Sequence, residues 1–255
     1  MYNLGAFLIL NRFLFGIVFV LSTSTTAWSG DFAVIQENIK PGNIVIIGES
    51  HQKPESTQLF ALLVDSTLEK HQCLTVGLEI DRSQQPIIDE VVKGRAQVSA
   101  IKIPYAIDHS DMRNLIDYLA KLKSKWPCLG IAAIDAEQDR DQSMADRLTI
   151  FPRENPILVL LGGLHTLKKV KWAVKSGEPF VAEILAGRSY QVNSYPQNWQ
   201  PENCANGQGR VSRYVKADDP EALPILNESF MSLINAKPHR SAKGVVDGFV
   251  VWECN

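Results

Sequence analysis

Ile44-Val45-Ile46-Ile47-Gly48-Glu49-Ser50-His51 decides the reading of this chain. Four apolar residues in unbroken succession, three of them isoleucine, suit a strand covered on both faces, as in a parallel sheet. The strand opens through a glycine into Glu49 and His51. Pro54 is a natural first-turn residue, and Leu59, Phe60, Leu62, Leu63 and Leu68 then repeat at helical spacing.

The same unit recurs along the chain. Leu74–Leu78 predicts a second strand that ends in Glu79 and Asp81. Residues 82–127 predict a small helical insertion, with Ile87, Ile88, Val91 and Val92 on one helix and Met112, Leu115, Ile116, Leu119 and Leu122 on another. Leu129–Ile134 predicts a third strand, ending at Asp135, and 139–148 a helix. Ile157–Leu161 predicts a fourth strand that opens into Gly162-Gly163-Leu164-His165. A helix over 179–185 and late strands at Tyr190–Tyr195 and Gly248–Trp252 follow. Residues 196–213, rich in Asn, Gln, Gly and Pro, read as a surface loop or lid. Alternation of strand and helix predicts an α/β fold: a mainly parallel sheet, helices on both faces, and the insertion between strands 2 and 3.

Parallel strands joined by right-handed crossovers carry their C-terminal ends to one edge, where ligands bind. Glu49, His51, Glu79 and His165 are therefore expected in one crevice. Two chemistries suit them. One imidazole, His51 or His165, serves as general base while Glu49 or Glu79 orients it. Alternatively His51, Glu79 and His165 hold a divalent metal that acidifies water. Arg140 stands ready for a developing oxyanion or a substrate carboxylate. Asp135 reads as a cap of the following turn and Asp141 as a first-turn acid facing the helix dipole. His71, His109 and His239 lack a strand-end position and read as surface residues; Tyr105 and Tyr118 read first as packing residues.

The 255 residues suffice for one α/β domain, taken as 30–255, after an N-terminal segment of different character. Residues 1–29 carry Arg12 as their single charge before 30, then the apolar run Phe13–Leu21, a Ser/Thr stretch and Ala27-Trp28-Ser29. That is the pattern of a secretory signal, and it predicts export to the periplasm or beyond the cell. An uncleaved anchor is the alternative; no other membrane segment is expected. Net charge is −2 and the linear sequence shows no basic stripe, so no nucleic-acid partner is expected. Four cysteines in an exported chain predict two disulfides. Of three connectivities, Cys73–Cys128 and Cys204–Cys254 are favoured. Cys73 and Cys128 each precede an apolar run by the same offset, so neighbouring parallel strands would bring them together.

At these same residues the chain resembles a known superfamily. Gly48-Glu49-Ser50-His51, Gly77-Leu78-Glu79, Arg140-Asp141-Gln142-Ser143-Met144-Ala145 and Gly162-Gly163-Leu164-His165 stand in the order seen in the erythromycin esterase-like, ChaN-like haem-uptake and Tiki-protease superfamily. The likeness spans roughly residues 42–195, and the size is nearest the ChaN-like group. It implies that Glu49, His51, Glu79 and His165 line the cleft with Arg140 beside them. The activities it implies diverge: lactone opening by a histidine base, metal-dependent proteolysis, or haem binding through a tyrosine of the insertion, for which Tyr105 is the candidate here. The insertion is short for a macrolide esterase, and the lipoprotein cysteine of the haem-uptake members is missing. The expectation is thus an exported hydrolase acting on an ester, lactone or amide of a small molecule, with a haem or iron-carrier binding protein as the alternative.

Overall fold

The computed structural model describes residues 32–255 apart from 72, 175–176, 202–203 and 205–208. The signal-like segment 1–29 lies outside the described residues, as does the side chain of His71.

Seven strands form one sheet in the order β3-β2-β4-β1-β5-β7-β6. They are β1 (Asn43–Glu49), β2 (Thr75–Asp81), β3 (Gly130–Asp135), β4 (Ile157–Gly162), β5 (Gln191–Gln200), β6 (Arg210–Lys216) and β7 (Gly248–Cys254). Every pairing is parallel except β6 with β7. β1 occupies the middle, between β4 and β5, and all seven of its residues are buried.

Period-two alternation divides the strand side chains between two layers. Val45, Ile47, Val76, Leu78, Ala133, Leu158 and Leu160 face α1 (Ala33–Asn38), α2 (Pro54–His71), α3 (Gln85–Val92) and α4 (Ser110–Lys125). Ile44, Ile46, Ala132, Ile134, Ile157, Val159 and Leu161 face α5 (Arg140–Thr149) and α6 (Val181–Gly187). Helices therefore cover both faces, and α3 and α4 make up the insertion between β2 and β3. A third apolar cluster joins β6 and β7 to α7 (Ala222–Leu226) and the single π-helical turn Asn227–Met231. No helix among the described residues is long and apolar enough to cross a membrane.

The stretch 196–213 is not the loop its composition suggests. β5 runs on to Gln200 and β6 begins at Arg210. Residues 191–196 of β5 pair with β1 and residues 197–200 with β7, so Pro196 falls where the strand passes from one partner to the next. A residue without an N–H is tolerated at such a handover. Polar Gln197 and Asn198 are buried there, which the composition of a surface loop does not suggest.

Cys73 is bonded to Cys128, with Cα atoms 5.1 Å apart, and Cys204 to Cys254, at 5.3 Å. The first bridge joins residues just before β2 and β3, which are adjacent strands. The second ties the β5–β6 connection to the end of β7. Two disulfides are consistent with an exported protein.

Gly48 shows how tightly the site end of the sheet is packed. A Cβ there would lie 2.6 Å from Thr166 Cγ2, 2.9 Å from Pro196 Cα and 3.0 Å from Gly163 Cα. Two of those three are backbone atoms on neighbouring chain segments and cannot rotate away. We expect Gly48→Ala to cost about 1–3 kcal/mol in chemical denaturation, whereas Gly187→Ala, where a Cβ meets nothing within 4 Å, stays close to the parent.

Candidate functional site

The C-terminal ends of β1, β4, β2 and β3 stand side by side and carry the expected residues. Glu49 ends β1 and is in register with Gly162, the end of β4. Glu79 lies two residues before the end of β2, where the register with β3 shifts between Leu78 and Asp81. That irregularity turns the strand end while Glu79 stays buried at 8% exposure. Its Oε2 accepts the Gly162 amide at 2.6 Å, so β2 is tied to the end of β4 by a side chain.

Both imidazoles face Gly162. A Cβ on this glycine would lie 3.2 Å from His51 Cε1, 3.6 Å from His165 Cδ2 and 3.5 Å from Glu79 Oε2. Each imidazole has its own carboxylate. His51 Nδ1 is 2.9 Å from Glu49 Oε1, and His165 Nδ1 is 2.6 Å from Asp141 Oδ1. His165 lies in the 3-10 turn Gly163–Thr166 that follows β4, and Asp141 in the first turn of α5. Asp141 Oδ1 also accepts the Val181 amide at the start of α6, which holds the carboxylate in place.

Arg140 completes the cluster. Its Nε and Nη2 donate to Asp135 at 3.0 and 2.7 Å, and Nη2 donates to Glu79 Oε1 at 2.8 Å. His165 Nε2 is 3.6 Å from that same oxygen. Asp135 additionally accepts the Ala136 amide, the cap role its position suggests, and holds the arginine as well.

The two histidines differ in their electrostatics. Burial by itself lowers the pKa of His165, but the hydrogen bond to Asp141 and the neighbouring Glu79 outweigh it and lift the imidazole to about 9. It is a cation at neutral pH. Burial likewise raises Glu79, and the adjacent His165, the Gly162 amide and Arg140 together pull it down to about 2. His51 is raised above 6.5, chiefly by its hydrogen bond to Glu49. Its side chain is 45% exposed against 13% for His165.

His51 stands between two openings. A cleft of about 610 Å³ is lined by Glu49, His51, Lys53, Asn198, Glu228 and Phe230 among others. A second, of about 300 Å³, is lined by His51, Glu79, Asp81, Arg140 and the loop residues Pro104 and Ile107. A neutral His51 that donates Nδ1–H to Glu49 presents an Nε2 lone pair.

Five expected residues thus meet: Glu49, His51, Glu79, His165 and Arg140. The metal set is a different matter. Among the described residues no three His, Cys, Asp or Glu side chains come together to hold an ion. Arg140 occupies the Glu79 oxygen that faces His165. His51 is bonded to Glu49 rather than to Glu79 or His165, and Glu79 already balances Arg140 and His165, so the three do not form a set that fits a further cation. Tyr105 is 89% exposed, so it is no packing residue; it stands between Pro104 and Ala106 of the second cleft. Tyr118 donates to Asp65 across α2 and α4 at 2.6 Å. His239 is buried at 7% exposure, and the His109 side chain is 13% exposed, so neither is the surface residue its position suggests. Asp141 was legible only as a first-turn acid. Its partner is 24 residues away, and only the turn after β4 brings the two together.

No family model and no curated protein sequence matches the chain. Two solved structures are similar to it. One is a mutant of the erythromycin esterase EreC in its open conformation, 9% identical, with a TM-score of 0.55 over 86% of this chain and 92% of that one. The other is ChaN of Campylobacter jejuni with cofacial haem, 14% identical, with a TM-score of 0.47 over 65% of this chain and 84% of that one. The chain is an α/β protein with a mainly parallel sheet and a strand-end crevice. Its fold is erythromycin esterase-like.

The paired charges make stability depend on pH. The pKa of His165 is higher in the folded chain than the unfolded 6.5, so its stabilisation is complete below about 6.5 and is lost as pH rises through about 9. We expect unfolding free energy to fall by on the order of 3 kcal/mol between pH 6.5 and 9.5. In His165→Asn that alkaline fall should be much smaller, as measured by urea denaturation across the range.

Proposed function

We propose that this protein is a hydrolase in which His51, oriented by Glu49, takes the proton from a water that attacks an ester, lactone or amide carbonyl of a small molecule. The observation that supports this most is the asymmetry between the two imidazoles. His165 has both ring nitrogens directed at carboxylates, is nearly enclosed and is held as a cation, so it is not the base. His51 has one nitrogen on a buried carboxylate and the other beside open clefts, which is the arrangement a general base needs. Glu49, itself buried, favours the imidazolium that forms during proton transfer.

Glu79 and the cations His165 and Arg140 act on position and charge. Glu79, Asp135 and Asp141 balance both cations, and the positive charge left to face the smaller cleft beside His51 is that of the half-exposed Arg140 guanidinium, whose Nη1 donates to none of these carboxylates. That charge favours a carbonyl oxygen as it becomes anionic. No step passes through a metal.

The reading of residues 1–29 as an export signal and 30–255 as the mature domain belongs to this proposal. The two disulfides and the signal-like N-terminus support a periplasmic or secreted location.

A second reading keeps the same pocket for haem. The observation that favours it is the exposure of Tyr105, whose hydroxyl is open to a ligand, while the His109 imidazole is largely enclosed.

His51→Ala should lower kcat on a responsive ester by at least about 100-fold, the usual range for a lost general base, with little change in melting temperature. The acidic limb of the parent's rate profile should lie above pH 6.5, because the base must be unprotonated and its pKa is raised. Glu49→Gln should move that limb down. Equal rates for His51→Ala and the parent would end this reading. For haem, titration of the parent should show a Soret band that Tyr105→Phe weakens and His109→Ala leaves alone; a spectrum equal to that of free haem would remove the second reading.

A further inference from the structure

The linear sequence shows no basic stripe, but the fold assembles a basic patch. Two segments, 168–174 and 233–243, contain six of the 26 basic residues and none of the 28 acidic ones. They are neighbours in space. Trp172 and Ala236 form an antiparallel bridge, the Lys237 amide donates to the Lys171 carbonyl at 2.8 Å, and the Ala173 amide to the Asn235 carbonyl at 3.3 Å. Lys171 and Lys237 are therefore cross-strand partners, and like charges placed opposite each other destabilise a strand pair.

Lys169, Lys171, Lys237, Arg240 and Lys243 are all exposed. Of the six basic residues, only Lys168 has an ion-pair partner among the described residues, at Asp247. His239 shows that the cations converge. It is 7% exposed, its Nε2 has no hydrogen-bond partner, and its pKa is lowered by burial and then by Lys171 and Lys169. Glu183, whose carboxylate accepts the Val170 amide, is the acid near Lys169; Lys171, Lys237, Arg240 and Lys243 have no ion-pair partner among the described residues, and their mutual repulsion is a cost that a bound polyanion offsets.

Apolar side chains adjoin the patch. Leu233 is 73% exposed and Val174 is 45% exposed, and in sequence they flank the contact between Ala173 and Asn235. These are two of only four large apolar side chains that stand this far out among the described residues. Exposed aliphatic tips beside unpaired cations fit a surface that offers anionic headgroups with hydrocarbon beneath them. A nucleic acid or an acidic protein would satisfy the cations and leave the aliphatic tips in water.

We propose that the face formed by 168–174 and 233–243 docks on an anionic lipid bilayer, with Lys169, Lys171, Lys237 and Arg240 against the headgroups and Leu233 and Val174 in the interfacial layer. This is peripheral association and requires no membrane-spanning segment. Leu233 also lines the larger cleft beside His51, so a docked bilayer lies at that cleft's mouth. The proposal holds whether or not His51 is a base.

The test is flotation of the full chain with vesicles of phosphatidylcholine alone and with about one-third phosphatidylglycerol. Arg12 and the apolar residues 13–21 are common to the parent and every variant, so the readout is the part of the anionic excess that the substitutions remove. We expect at least a tenfold excess at low ionic strength that shrinks steeply as salt screens it. Lys171→Glu with Lys237→Glu should abolish the excess, and Arg240→Glu alone should reduce it. Leu233→Ser, with charge unchanged, should weaken it several-fold. All four positions are exposed, and near-ultraviolet circular dichroism confirms the fold of each variant. No excess in the parent, or an excess that survives charge reversal, would overturn the proposal. So would an excess insensitive to Leu233→Ser and competed away by heparin at equal charge, which would assign the patch to a soluble polyanion.

Discussion

The carboxylate of Glu79 is the group on which the site depends. One oxygen accepts the Gly162 amide and so joins β2 to the end of β4. The other faces Arg140 and His165, which arrive from α5 and from the turn after β4. A buried carboxylate in such a position would ordinarily be protonated. Here an amide and two cations hold it ionised, and it holds them in return. Removing it leaves the largely buried His165 imidazolium facing the half-exposed Arg140 guanidinium without the carboxylate between them, so its loss would disturb geometry and charge together. Breaking one partner out of a buried charged cluster is among the most destabilising changes a protein meets.

From that cluster follows the division of labour between the histidines. Asp141 and Glu79 take both nitrogens of His165 and commit it to the cationic form. Glu49 takes only Nδ1 of His51 and leaves the other nitrogen beside the clefts. Two residues of the same type at the ends of neighbouring strands thus acquire different acid–base character from their surroundings alone. The difference lies in burial and in the number of carboxylates, both of which belong to the fold.

The remainder of the chain builds a wall beside this crevice. β5 changes partner at Pro196 and continues as a neighbour of β7, which carries buried Gln197 and Asn198 toward the larger cleft. The π-helical turn Asn227–Met231 contributes Phe230 to the same wall and packs on Gly163 through it. Beyond the wall lie the basic segments around Lys171 and Lys237. Cleft, wall and cationic face are therefore contiguous.

Much of this architecture was legible in residue order. The run Ile44–Ile47 is short, wholly β-branched and closed by Gly48, the pattern of a doubly covered strand, and the repeated strand–helix alternation prescribes parallel neighbours. Once strands are parallel, the polar residues at their ends must share an edge, so Glu49, His51, Glu79 and His165 could be grouped without coordinates. Local patterns carried this because strand burial and helix periodicity are short-range properties. The tertiary structure decided what depends on distance through space. It set Asp141 on His165, gave Arg140 to Glu79 and Asp135, made 196–200 a strand, and gathered scattered lysines into one face. Each of these is a contact between segments far apart in the chain, governed by packing and charge, and composition along the sequence does not record which distant groups will meet.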